Sequence, residues 1–295
     1  MVCCFPMQGR LRLSFGQDLK ALFLNGVILI QWGVLIVLCL CALPLRLAWA
    51  EGSEKGFRTV VIDAGHGGED AGAQGRDGLS EKDLVLDISQ RLARRLEKQG
   101  FEVAQTRSDD RFVPLEVRTA IANDAGGDLF ISIHANSARN REAHGIETYF
   151  VSLEASDDAA KQVVARENDA LAQTTPGFEQ SQDPLVSLLG DMIATEHVRE
   201  SSEFSKLAQA ELIQRTGGDS RGVKQAPFVV LMGVQMPASL IEVGFLSNSA
   251  DEKSLTRSRH RDALVDAIAR AVEIFGKRYD ARRGIEPKGS WMEVE

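Results

Sequence analysis

The apolar positions of this chain fall into short continuous runs separated by amphipathic stretches. Thr59-Val60-Val61-Ile62, Leu129-Phe130-Ile131-Ser132-Ile133-His134 and Ser239-Leu240-Ile241-Glu242-Val243-Gly244-Phe245 have the length and apolar content of strands covered on both faces. Between such runs the period becomes helical. Ser80 opens one helix with Asp83 as its capping partner, Val85, Ile88, Leu92 and Leu96 form its apolar stripe, and Gly100 closes it. Residues 101–106 predict a second strand, 115–125 a second helix behind Pro114, and 145–152 a further strand. This alternation predicts an α/β fold: a single domain with a mostly parallel twisted sheet flanked by helices on both faces.

The rhythm breaks near residue 152. Residues 155–172 predict a charged amphipathic helix, 173–183 a polar loop with Pro176 and Gly177, and 185–193 a short helix. It resumes at Phe204 with a helix that Gly217-Gly218 ends. Apolar strands are predicted over 228–234 and 239–245, the first preceded by Arg221-Gly222-Val223-Lys224. A long helix over 259–279 carries Ala263, Leu264, Ala267, Ile268, Ala271, Val272 and Phe275 on one face. The expected organisation is a catalytic domain over 58–280, a helical insert over about 152–204, and a flexible charged tail over 281–295.

The first fifty residues follow another pattern. Arg10, Arg12 and Lys20 precede an apolar run over 27–45 that ends in Ala48-Trp49-Ala50. Basic head, apolar middle and small-residue end predict a secretory signal peptide over 1–50, cleaved after Ala50 and followed by a short linker over 51–57. A retained membrane anchor is the competing reading, weakened by Gln31, Pro44 and Arg46 within or beside the run. Cys3, Cys4, Cys39 and Cys41 all lie in this leader, so the exported part would carry no disulfide and would rest on its core or on a metal. Removing four basic residues and one acidic residue with the leader takes the formal charge from −8 to −11. That balance argues against nucleic acid and anionic membranes as partners. The expected location is the periplasm.

The chain holds five histidines, His66, His134, His144, His197 and His260. His66 stands in a glycine-rich turn, Asp63-Ala64-Gly65-His66-Gly67-Gly68, at the end of the first strand, and His134 ends another. If those strands are parallel, both imidazoles emerge at one sheet edge, where ligands of α/β folds bind and where a zinc ion could sit between them. Glu81, in the first turn of the following helix, is a candidate third ligand; a carboxylate favoured there by the helix dipole is the alternative. Glu242 is an acid inside an apolar run. Burial would raise its pKa into the range useful for moving protons; an edge strand pointing it at solvent is the alternative. Asp63 could orient His66 or cap the turn, Asn136 and Ser247 could shape the site, and His144 and His260 read as surface or structural residues. The zinc-peptidase pattern H-E-x-x-H and the phosphate-loop pattern G-x-x-x-x-G-K-[ST] are both absent.

Four motifs, in order, Val61-Ile62-Asp63-Ala64-Gly65-His66-Gly67-Gly68, Ser80-Glu81-Lys82, Ser132-Ile133-His134-Ala135-Asn136 and Glu242-Val243-Gly244-Phe245-Leu246-Ser247-Asn248, closely resemble those of zinc-dependent N-acetylmuramoyl-L-alanine amidases of the periplasmic cell-separation type. The resemblance runs from about Arg58 to Tyr279. It implies one zinc ion on His66, Glu81 and His134, with Glu242 as catalytic acid/base. It implies hydrolysis of the amide between N-acetylmuramic acid and L-alanine of peptidoglycan, in wall remodelling and daughter-cell separation. Many relatives carry an extra N-terminal targeting domain; here the matching region begins just past the predicted cleavage point.

Relatives of this type can also carry an inserted helix that covers the zinc and gives it another carboxylate, until a partner protein removes it. The resemblance thus implies an autoinhibitory role for the 152–204 insert and a periplasmic activator. Glu167, Glu179, Asp191 and Glu196 are the candidate blocking acids, and Leu185, Val186, Leu188, Leu189, Met192 and Ile193 a face that could dock on the partner or on the enzyme. An ordinary surface excursion is the alternative. A monomer is expected. A zinc carboxypeptidase on another peptide uses the same ligand types, and a non-catalytic wall-binding module is a third reading.

Overall fold

The computed structural model describes residues 56–174 and 196–285. The predicted signal peptide, its cysteines, the helix over 185–193 and most of the tail lie outside the described residues. Six strands form one sheet: β1 (Thr59–Ala64), β2 (Glu102–Gln105), β3 (Leu129–Asn136), β4 (Ile146–Val151), β5 (Ser220–Ala226) and β6 (Ala238–Phe245). The helices are α1 (Glu81–Lys98), α2 (Leu115–Asp124), α3 (Asp158–Thr174), α4 (Glu196–Thr216), α5 (Val229–Met232), α6 (Ser249–Leu255) and α7 (Ser258–Arg282). The strand order is β2-β1-β3-β6-β4-β5. β2, β1, β3 and β6 run parallel; β4 pairs with β6 antiparallel and with β5 parallel. No helix among the described residues is long and apolar enough to cross a membrane.

Strand alternation explains why both faces are covered. Val60 and Ile62 of β1, with Leu129, Ile131 and Ile133 of β3, enter one core with α1, α4 and α7. Val61 and Phe130 point the other way and meet residues of α2, α3 and α5. Because each side has helices, these strands are apolar throughout. Each fully buried aliphatic side chain contributes about 1.5–3 kcal/mol by leaving water.

Three local expectations change. Residues 228–234 do not form a strand. Pro227 cannot donate to a ladder, and after it Val229–Met232 turn into the short α5. The strand is instead Ser220–Ala226, polar because it is a sheet edge, where charged side chains prevent further pairing. Ser80 precedes α1 but makes no capping hydrogen bond; its hydroxyl lies 3.5 Å from the Ala71 carbonyl. The helix predicted from Phe204 begins eight residues earlier, at Glu196.

Candidate metal centre

The parallel strands β1, β3 and β6 end at the same edge of the sheet, and the chemistry gathers there. His66 follows β1 in a left-handed conformation, φ 58°. That conformation costs a non-glycine residue about 1–2 kcal/mol, so the surroundings must hold it. Two arginines supply the hold. Buried Arg107 donates to the carbonyls of Ala64 (2.9 Å), Gly65 (2.7 Å) and Lys82 (3.0 Å). Arg118 donates to the carbonyls of Ala64 (2.6 Å), His66 (2.7 Å) and Val113 (2.8 Å) and to Asp63 Oδ1 (2.9 Å). One guanidinium therefore ties the histidine loop to the first turn of α1. The other ties it to a buried carboxylate that also accepts from Thr106 and Ser132.

The glycines make room for a neighbouring ring. A Cβ on Gly65 would lie 2.4 Å from His134 Cε1. At Gly72, φ +63°, it would lie 2.6 Å from His66 Cδ2 and 2.7 Å from Glu81 Oε2. Asp70 Oδ2, 2.9 Å from His66 Nδ1, fixes that ring and leaves Nε2 facing inward. Glu81 is buried, its Oε2 accepting from Ala73 N (2.8 Å) and its Oε1 from Ala135 N (2.9 Å).

Four atoms converge. His66 Nε2 lies 3.1 Å from Glu81 Oε1 and 3.4 Å from Glu167 Oε2; His134 Nδ1 lies 3.2 Å and 2.9 Å from the same two oxygens. All four lie within 4.8 Å of one another. A tetrahedral zinc with arms of about 2.0–2.1 Å spaces its ligand atoms about 3.3 Å apart. Yet His66 Nε2, His134 Nδ1 and Glu167 Oε2 have no hydrogen-bond partner although buried. They aim at a shared centre and not along each other's N–H directions. Two imidazoles and two carboxylates with that spacing fit zinc. The charges of the four groups compensate each other. Burial opposes charge on His134, but Glu167 and Glu81 raise it to about 10. Burial likewise opposes charge on His66, and Glu81, Asp70 and Glu167 raise it. Burial pushes Glu81 and Glu167 up, but the two rings outweigh it, bringing Glu81 to about 2 and Glu167 lower still.

Glu242 stands on a central strand, paired in register with His134 of β3 and Glu147 of β4. The solvent-facing alternative does not hold: the residue is fully buried, and neither carboxyl oxygen has a hydrogen-bond partner. Burial, with Glu167, Glu81 and Glu147 nearby, raises its pKa well above the ordinary carboxylate value. Glu147 accepts from Tyr149 (2.9 Å), Asn136 (2.7 Å) and Arg221 (2.8 Å), and Lys224 Nζ lies 3.1 Å from it.

The structure thus brings together His66, Glu81, His134 and Glu242. Of the four candidate blocking acids it places Glu167, on α3, beside the ligand atoms. Glu179 and Asp191, and the Glu196 side chain, lie outside the described residues. Asp63 does not reach His66; Asp70 does. Ser247 Oγ accepts from Ala138 N at 3.0 Å and so braces the loop after β3. His144 and His197 remain on the surface, and His260 is half-buried. Asp70, Glu147 and the two buried arginines escaped the sequence reading. Asp70 left one signal, its place four residues after His66.

Comparison with known proteins gives the family and the fold. The Amidase_3 family, described as N-acetylmuramoyl-L-alanine amidase, matches residues 60–274. N-acetylmuramoyl-L-alanine amidase AmiA of Escherichia coli is 33% identical over 234 residues, 79% of this chain and 81% of the relative. AmiC of Neisseria meningitidis is 35% identical over 226 residues, 76% of this chain but 54% of the relative, so the chain spans about half of that protein. An N-acetylmuramoyl-L-alanine amidase of Clostridium difficile shares the fold with a TM-score of 0.57 and 28% identity, covering 75% of this chain and 97% of that one. The CwlD amidase of Clostridioides difficile, solved in complex with the GerS lipoprotein, has a TM-score of 0.56 and 26% identity, covering 75% of this chain and 99% of that one.

Proposed function

We propose a zinc-dependent, self-restrained mechanism for this chain, which belongs to the N-acetylmuramoyl-L-alanine amidase family and is an amidase of that kind acting on peptidoglycan. His66, Glu81 and His134 would hold the ion, and Glu167 would reach it as well. When bound, zinc supplies a Lewis acid that polarises the scissile carbonyl and acidifies water. Asp70 holds the His66 ring so that Nε2 stays aimed inward. Glu242 takes a proton from the attacking water on its carboxylate and returns it to the nitrogen of L-alanine as the amide breaks. Burial, with no competing hydrogen bond, raises its proton affinity above that of an ordinary carboxylate, the direction an acid/base needs. The observation that carries the reading is the convergence of the buried, unpartnered atoms of His66 and His134, with Glu242 next to His134 in the ladder.

Glu167 acts as the brake, since its carboxylate lies among the ligand atoms, where it would compete with water and substrate. A partner protein releases it, as support for which a related amidase is found in complex with a lipoprotein. Work outside the cytoplasm, behind a cleaved leader, and a part in daughter-cell separation complete the proposal. α3 contributes Ala160, Val163 and Val164 to the core, so deleting the insert would unseat packing. Single substitutions are the cleaner test. Glu242→Gln should lower turnover roughly 10²–10⁴-fold while the metal content, read by elemental analysis, stays at one ion; retained turnover sinks the assignment. Product analysis must show intact stem peptides freed from glycan. Loss of C-terminal residues alone would favour a carboxypeptidase.

A further inference from the structure

Asn136 stands two residues past His134 on β3, so their side chains leave the strand on the same face. It is buried, and its amide is bonded at both ends. Nδ2 donates to Glu147 Oε1 at 2.7 Å, and Oδ1 accepts from Arg166 Nη2 at 2.5 Å. Chemistry fixes that orientation. The Glu147 carboxylate, neutralised by Arg221 and Lys224, can only accept, and a guanidinium can only donate. Turning the amide over would set acceptor against acceptor and donor against donor. Asn136 is therefore pinned from behind by Glu147, with Oδ1 presented to whatever stands in the place of Arg166. Glu147 is also the ladder neighbour of Glu242, so the pinned amide is anchored beside the proton carrier.

Arg166 and Glu167 are consecutive on α3. Together they deliver two groups to the site: a carboxylate oxygen at the ligand cluster and an N–H at Asn136. A peptide amide delivers the same two groups, a carbonyl oxygen and an N–H. We propose that Asn136 is a further catalytic residue whose Oδ1 accepts the N–H of the scissile amide, and that Arg166 and Glu167 occupy the places of that N–H and carbonyl in the resting chain. The inference rests on the amidase reading and adds a substrate contact to it. Holding the N–H at Oδ1 fixes how the nitrogen is turned. As the amide loses planarity, the nitrogen lone pair becomes available and Glu242, anchored beside Asn136, gives it a proton. Asn136 itself forms and breaks no covalent bond.

The test uses the full chain carrying Glu167→Ala, with two soluble muramoyl-peptide substrates. One has the natural amide; in the other the scissile N–H is replaced by oxygen, giving an ester. Adding Asn136→Ala should lower kcat/KM for the amide roughly 10–100-fold, the effect of a buried partner left unmatched. It should leave kcat/KM for the ester little changed, because that substrate brings no N–H, and the metal content should not move. Asn136→Asp, which when protonated donates to Glu147 and still accepts, should keep the preference for the amide. Equal losses on both substrates, or loss of metal, overturn the role of Asn136 and leave the amidase reading intact. No turnover of either substrate by the Glu167→Ala chain overturns both.

Discussion

Two helices of nearly equal length each bring one glutamate to the same cluster, and they hold it in different ways. α1, with 18 residues, buries Leu84, Val85, Ile88, Leu92, Ala93 and Leu96 against the sheet and places Glu81 in its first turn. Both oxygens of Glu81 are also fixed by backbone N–H groups from separate elements. Among its described side chains, α3, with 17 residues, contributes the small groups Ala160, Val163 and Val164 to its core, with Arg166 tied to Asn136 and Asn168 to Pro227 and Val229. Glu167 Oε2 has no hydrogen bond. The first ligand is fixed from several directions; the second is held by little beyond the cluster itself. On the proposed reading, that difference separates a lasting ligand from one suited to leave.

The sharpest way to break the comparison is to remove each glutamate in turn. Glu81→Ala should cost more metal affinity than the roughly 10–100-fold typical of an outer-shell residue, read by competition with a chromophoric chelator. Glu167→Ala should keep the ion and raise basal turnover. Equal losses of metal from the two variants would erase the distinction. Arg118→Met comes next. It leaves buried Asp63 without its cation, which should cost about 3–5 kcal/mol in denaturant unfolding. It also has a signature in pH. Burial raises the Asp63 pKa, but Arg118, Thr106 and Ser132 outweigh it, so the folded value lies below the ordinary one. Its stabilising effect is therefore present above the unfolded-state value of 3.8 and lost as pH falls below that. In the Arg118→Met chain the loss should begin at higher pH, seen as an acid transition that moves upward. Asp70→Asn should have the smallest effect, weakening metal binding about 10–100-fold with little change in unfolding, because it disturbs only the orientation of the His66 ring.

Much of the fixed half was legible in the sequence. Apolar runs ending in glycines and histidines announce buried strands that meet a ligand at one edge, and Glu242 stood out because everything around it was apolar. The glutamate of α3 was not distinguishable in advance. Glu167 lies in a charged amphipathic helix among other acids, and only the packing of α3 on the sheet aims it inward. β5 was missed because an edge strand takes polar residues, while the apolar run after Pro227 imitated a strand for lack of any long-range signal. Arg107 and Arg118 were missed for a deeper reason. Apart from Asp63, their partners are backbone carbonyls, and no residue pattern records which carbonyls a loop will leave unpaired.

The placement of Glu167 on the same chain as the cluster it covers has a consequence for dosage. A tethered group meets its site at an effective concentration on the order of millimolar or more, set by the fold and not by how many molecules are present. Latency of this kind needs no matched supply of inhibitor, does not fade on dilution, and is complete in each molecule once it has folded. On the proposed reading, only a binding event on the molecule itself would end it, so release would follow where the partner is, one enzyme at a time.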